Sequence, residues 1–345
     1  MKKYIVSPIK YIETRKYVVT VRNLFYKYPA SVIIIPGIAV VIFCLIMDYK
    51  KGVESKDLYG NLTASAIEVF GLGAIIMIYN KLSERKNTIK RYKEEIDSYR
   101  PWKEEEATYR ICGLVKSLNN MNDSKIDLSS CYLIKASLSK ANLQGANLNR
   151  ANLTEANLSE ANLSEANLLF AKLIGANLEK AILKGADLTR ANLTGAKLNG
   201  TGLSQVKLQE ANFQGAYLRK ANLSGVRGME TNFTKTELRD AELIGAKLFK
   251  VSFNQAILCN ANLQGVDLPR SSLQGADLQS ANLQEAKLKG ANLQGAIVES
   301  RDWLFKLEKY NIQGIEYIKE KYCVIEDKSK SKPVYRIEEK GDKLT

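Results

Sequence analysis

The 345-residue sequence contains no histidine. That absence excludes Ser-His-Asp and Cys-His catalytic arrangements and an imidazole proton shuttle, so the commonest general base is missing. Acid–base chemistry would fall to carboxylates, lysine or a cofactor. Cysteine is scarce as well: five residues, none spaced C-x-x-C, fit reduced thiols rather than a disulfide framework or a cysteine zinc site. The sequence carries no P-loop, dinucleotide-binding fingerprint or metal-ligand cluster. The expectation is a non-enzymatic protein with no catalytic residue, cofactor or metal.

Long apolar runs are limited to two. Ala30 to Met47 (ASVIIIPGIAVVIFCLIM) is uncharged, and as a helix it would extend about 27 Å, close to a hydrocarbon core. Leu62 to Ile78 (LTASAIEVFGLGAIIMI) is shorter and interrupted by Glu68. Both are read as membrane spans, 30–47 and 62–78. Residues 1–28 carry seven Lys or Arg, the intervening loop three and residues 81–100 seven. The positive-inside rule therefore places both ends in the cytoplasm. A cleaved signal peptide fits poorly, because 29 residues precede the first run and no small-x-small site follows it. Glu68 is the one ionisable group expected within the bilayer, where a structural contact with another helix is the favoured reading. Residues 81–100 show heptad-like spacing of Leu82, Ile89, Tyr92, Ile96 and Tyr99, stopped by Pro101, and read as a stalk helix.

From Ile126 to Ser300 the chain repeats every five residues without an insertion. With centres at 128, 133 and onward to 298 there are 35 pentads: 30 centres are Leu, three Phe, one Val and one Gly. The position two before the centre is Ala in 25 of them. A period of five cannot be an amphipathic helix, since its leucines would spiral over the whole surface. Turning a corner after each pentad keeps the central and small residues inside, and four sides make a coil of 20 residues. Phe213, Phe233 and Phe253 are the only Phe centres and lie 20 apart, so a four-sided coil stacks them as a core ladder. Gly228 stands where Leu belongs, and Phe233 on the next side is the expected filler of the gap. The outward Asn columns read as side-chain ladders along the coils, Cys131 as an inward small residue and Cys259 as a lone outward thiol. Asn152, Asn157 and Asn192 match glycosylation triplets only because Asn precedes the central Leu.

The A(N/D)LXX motif in this register resembles the pentapeptide-repeat family. The resemblance implies an all-β right-handed quadrilateral β-helix, here a solenoid of about nine coils and ~40 Å, with an N-terminal two-helix transmembrane hairpin and short helical caps. Cap helices are expected over 107–118 and 303–310, and a terminal hairpin over Tyr322–Glu326 and Val334–Ile337. The expected organisation is a basic segment (1–28), a transmembrane hairpin (29–80), a stalk and N-terminal cap (81–125), the repeat (126–300) and a C-terminal cap with hairpin and tail (301–345).

Of the four sides, the one built on centres 148, 168 and onward to 288 is the most basic. It exposes Leu169, Phe170, Met229 and Phe249 beside Lys207, Arg227, Lys247, Lys250 and Arg270, an apolar cluster rimmed by charge that suits a protein partner. Scattered surface residues on a tolerant repeat are the bland alternative. The family's mimicry of DNA toward gyrase depends on an acidic rod, whereas this one has 19 basic and 15 acidic residues. That surplus is also mild for phosphate neutralisation, which argues against nucleic acid. The sequence thus reads as a membrane-anchored interaction scaffold in a bacterial cytoplasmic or thylakoid membrane, with both termini and the rod in the cytoplasm. Expected partners are the lipid bilayer, an unidentified protein, and a second copy through the spans, stalk or rod end. The alternative is a membrane-active effector or transport component whose spans form a pore lined by Glu68.

Overall fold

A computed structural model describes residues 56–329 and 333–341, in two compact units, Met1–Thr88 and Ile89–Thr345. The basic lead and the span expected over 30–47 lie outside the described residues. Residues 62–78 are helical, but they belong to one continuous helix, α1 (Lys56–Tyr99), which also includes the segment read as a separate stalk. Among the described residues no helix is long and apolar enough to cross a membrane. The Glu68 side chain lies outside the described residues.

The repeat folds as a four-sided parallel solenoid. Parallel bridges join residues 20 apart, from Asp127↔Asn147 through to Asp277↔Ile297, so each coil is four pentads. Hydrogen bonding is nearly saturated, as the pentad around Leu148 shows. Its Asn147 N–H donates to the Ile126 carbonyl of the preceding coil at 2.9 Å, Leu148 N–H to Asn167 O of the next coil at 2.7 Å, and Arg150 N–H to Leu169 O at 2.8 Å. Ala151 N–H closes the corner on Leu148 O at 3.0 Å. The remaining N–H, that of Asn149, donates to the Asn147 side-chain Oδ1 at 3.2 Å. The same contact recurs at Asn152, Asn157, Asn192 and Asn212, among others.

This revises the role of the Asn columns. Nδ2–Oδ1 ladders between coils exist, as in Asn232 to Asn212 at 3.0 Å, but the Asn oxygen also satisfies the one backbone donor the coil leaves over. A donor buried without a partner costs about 1–3 kcal/mol, which accounts for Asn or Asp before the central Leu. Those Asn in glycosylation triplets have the same contact engaged.

Each corner is a tight turn with positive φ at its third residue. All 34 corners from Ser130 to Gly295 have this sign, and 12 of them use Gly. Inside the coil, central Leu and small residues are almost wholly buried. Phe213, Phe233 and Phe253 stack at 4.9 and 5.0 Å between centroids with nearly parallel rings.

The gap at Gly228 is filled differently from expectation. A Cβ placed there would lie 2.4 Å from Thr231 Oγ1 and 3.0 Å from Leu248 Cδ2. Thr231, not Phe233, occupies the space, and its hydroxyl donates to Leu208 O at 2.7 Å. Phe233 is a full side away and is committed to the ring ladder.

Both ends of the rod are covered. At the N-terminal end, α2 (Glu105–Asn120) buries Ile111, Val115 and Leu118 against the first coil. Asn119 reads the open edge like a missing strand: it accepts from Asn142 N–H at 2.7 Å and donates to Asn142 O at 2.8 Å. At the C-terminal end, α3 (Trp303–Glu308) and α4 (Ile315–Lys321) bury Trp303, Leu307 and Ile318. Three short strands lie in the rod or its last coil: β1 (Arg227–Met229), β2 (Lys247–Phe249) and β3 (Ile297–Val298). The terminal hairpin is β4 (Tyr322–Asp327) with β5 (Val334–Glu339), and β5 pairs antiparallel with β3 to give the order β3-β5-β4.

Candidate partner-binding side of the rod

On each side of the solenoid, three outward positions per pentad become three columns that run up the rod. On the side singled out above, the column just before the centre carries Asp187, Lys207, Arg227, Lys247 and Asp267 on successive coils. Lys207 pairs with Asp187 at 3.4 Å. Burial opposes ionisation of Asp187, but Thr189 and the Lys207 ammonium outweigh it and hold the carboxyl below its ordinary range. Arg227 and Lys247 stand next to each other in the parallel β1–β2 pair and have no ion-pair partner among the described residues. Two cations ~5 Å apart in water repel by roughly 0.8 kcal/mol. Asp267 stands on the coil after Lys247, the same one-coil step away, but does not reach it as an ion pair.

The middle column places Met229 beside Phe249 in the same strand pair; Met229 is 49% exposed and Phe249 half-buried. The third column holds Glu230, Lys250 and Arg270. Lys250 reaches Glu230 at 3.6 Å and also sits 5.6 Å from the Phe249 ring centre. Arg270 is exposed. Seven of the nine residues expected on this surface, from Lys207 to Arg270, thus form one cluster over neighbouring coils.

Leu169 and Phe170 do not join it. Leu169 is half-buried, and its N–H donates to Asn167 Oδ1 at 3.1 Å. Phe170 is held between Arg150 and Arg190, 5.4 and 5.5 Å from its ring centre. Arg190 in turn grips Glu210 with two bonds of 2.9 Å, which lowers the Glu210 pKa and raises that of the guanidinium. This Arg150–Phe170–Arg190–Glu210 column is absent from the sequence reading. Its signal was the spacing of 20 between those residues.

The two thiols of the rod, Cys131 and Cys259, are both buried and protonated. Cys259, expected to point outward, is buried; burial and neighbouring Asp277 on the next coil push its pKa up to about 12. Burial pushes Cys131 up to about 11. Cys259, the residue after the central Leu258, is itself covered, 7% exposed. Among the described residues no group of three or more Cys, Asp or Glu is placed to hold a metal ion.

Comparison with known proteins agrees with the coil geometry. The pentapeptide repeats family matches in eight copies over residues 119–150, 151–190, 186–225, 229–265 and 256–295. Among solved structures, the chain is similar to HetL, a pentapeptide repeat protein involved in heterocyst differentiation regulation from the cyanobacterium Nostoc sp. strain PCC 7120. Identity is 31% over 59% of this chain and 92% of that one, with a TM-score of 0.29. A trypsin-treated form of QnrB1, a plasmid-mediated fluoroquinolone resistance protein, shares 18% identity over 51% of this chain and 91% of its own, with a TM-score of 0.30. A pentapeptide repeat protein from the Arabidopsis thaliana thylakoid lumen shares 30% identity over 34% and 77% of the two chains, with a TM-score of 0.17. No curated protein matches. A period of five held for 35 pentads, closed by 20-residue coils and matched over half the sequence, makes this chain a member of the pentapeptide-repeat family.

Proposed function

We propose that the protein is a membrane-anchored, non-enzymatic scaffold that presents its rod to a protein partner. The observation that carries this reading is the cluster on one side: Arg227 and Lys247, neither held in an ion pair, beside exposed Met229 and half-buried Phe249. Apolar surface rimmed by unpaired charge is the composition of a binding patch rather than of a solvated face. The anchor rests on the apolar run 30–47 and on the flanking basic residues. The rod would then lie in the cytoplasm, and the mechanism is binding and positioning.

Crosslinking in native membranes followed by mass spectrometry identifies the partner. Reversing Arg227, Lys247 and Lys250 to Glu together is expected to abolish its recovery, and undiminished recovery would overturn the assignment. Cysteine-accessibility mapping tests the anchor separately: labelling of the rod from outside the cell would refute the cytoplasmic placement.

A further inference from the structure

One of the four hydrogen-bonded sides does not stop at the last coil. It runs from Ser137 coil by coil to Ile297, passes to Arg336 of β5 and then to Ile325 of β4. β4 is the edge of that sheet.

Two observations fix which way its backbone points. Lys340 N–H donates to Lys321 O at 2.9 Å, so Lys321 faces β5, and the antiparallel alternation turns Cys323, Ile325 and Asp327 the same way. Independently, Ile337 spends both its backbone groups on the last coil: its N–H donates to Ala296 O at 2.9 Å and its carbonyl accepts from Gly295 N–H at 2.6 Å. Ile337 is the register partner of Val324, so Val324 cannot bond to β5. Both groups of Val324 and of Glu326, and the Tyr322 carbonyl, therefore point away from the sheet. The Tyr322 N–H is already used to close α4 on Ile318 O.

We propose that this edge pairs antiparallel with the same edge of a second copy, joining two rods end to end through β4. The strand is self-complementary. Only registers that set outward groups against outward groups can form bonds; two of these overlap five residues of β4, centred on Val324 and on Ile325, and the first is the one that also sets Lys321 against Asp327. It places Lys321 of each copy opposite Asp327 of the other, Cys323 opposite Ile325, and Tyr322 opposite Glu326. No like charges meet; Lys321 and Asp327 each also pair within their own chain, with Glu339 at 3.0 Å and Arg336 at 3.1 Å. The bonds would run between the two Val324 residues and from each Glu326 N–H to the other copy's Tyr322 carbonyl. β4 carries no proline, bulge or lysine within the strand, and its only charges are Glu326 and Asp327 at one end. Ile325 is 44% exposed.

The full chain in detergent micelles is examined by sedimentation velocity over a hundredfold concentration range, with two variants. Val324→Pro removes an outward N–H that the native hairpin does not use. Val324→Cys in a Cys323→Ser background reports the register, because only this pairing brings the two 324 positions together for a disulfide under mild oxidation. The expected results are a concentration-dependent dimer, a loss of at least tenfold in dimer affinity in Val324→Pro with an unchanged circular-dichroism melt, and a crosslinked dimer for Val324→Cys. A wild-type monomer at all concentrations overturns the proposal. So does a dimer that survives Val324→Pro and gives no 324–324 disulfide, since its contact then lies elsewhere on the chain. If Val324→Pro unfolds, the disulfide result alone decides.

Discussion

Gly228 and Thr231 form a pair whose coupling can be worked out before it is measured. Adding a methyl group at Gly228 puts Cβ 2.4 Å from Thr231 Oγ1. The hydroxyl must leave the Leu208 carbonyl, 2.7 Å away, losing a hydrogen bond of about 1 kcal/mol, while the crowded core adds about 1–3 kcal/mol. Gly228→Ala is therefore expected to destabilise by about 2–4 kcal/mol, and Gly228→Leu by at least as much. Thr231→Ala alone loses the bond and leaves a small void, about 1–2 kcal/mol. The double variant Gly228→Leu/Thr231→Ala recreates the neighbouring coil, where Leu208 is followed by Ala211 and both are buried. It is expected within about 1 kcal/mol of the wild type, a favourable coupling of roughly 3 kcal/mol. Urea denaturation followed by circular dichroism gives the four midpoints. Solenoids can unfold segment by segment, so amide exchange at Thr231 and Asn232 should accompany it. Additive losses in the double variant would refute the assignment of Thr231 to the leucine site.

Removing the Asn192 oxygen by Asn192→Ala should cost about 1 kcal/mol, because Thr194 N–H at 3.1 Å and its hydroxyl at 2.6 Å both donate to it; Asn192→Asp should retain most of the stability in the same denaturation assay. Phe233→Ala empties the middle of the ring stack and is expected to lower stability by about 3–5 kcal/mol, with Phe233→Leu less severe. Asp327 is held at about 2 by the Ser329 hydroxyl and Arg336. Its folded pKa lies below the unfolded value near ~3.9, so its contribution is complete above about pH 4 and fades as pH falls toward 2; Asp327→Asn should flatten the melting temperature across that window. Cys259, buried with its pKa near 12, should resist iodoacetamide at pH 8 in the native protein and react fully in urea.

The rod was legible because its signal is redundant. Thirty-five pentads in one phase leave a single way to bury Leu and Ala, and three Phe at a spacing of 20 select four sides over three. Features that depend on a single contact were less visible. Nothing in the string distinguishes an Asn that ladders between coils from one that accepts its own turn's N–H, because both need the same residue at the same place. The Gly228 site was misassigned for a related reason. Thr231 lies in a position usually held by Ala, and only three dimensions show its hydroxyl 2.4 Å from where a Cβ at Gly228 would stand. Cys259 follows its centre at an outward position, and only its neighbours in three dimensions, Asp277 among them, show that it is covered. The candidate binding side was readable as a set of columns but not as pairs. Which cations are neutralised depends on side-chain reach, and this separates Lys207 and Lys250 from Arg227 and Lys247.

The corners give a measure of what the outer surface is for. A non-glycine residue in the left-handed region is disfavoured by about 1–2 kcal/mol, so glycine is the relaxed choice at all 34 corners. It is unevenly distributed. On the side of Gly145 and on that of Gly175 glycine fills five corners each, whereas the proposed partner side has Gly290 alone and the side opposite has Gly200 alone. The chain therefore accepts strain repeatedly on two opposite sides and avoids it on the two between. Some of those residues on the partner side form ion pairs or stack on Phe170 and Phe249, which offsets part of the strain. Arg270 has no such partner among the described residues, so stability alone does not explain it. Arg270→Gly should then raise the unfolding midpoint or leave it unchanged while weakening the native-membrane crosslink. A clear loss of stability would show instead that Arg270 is structural and remove it from the binding surface.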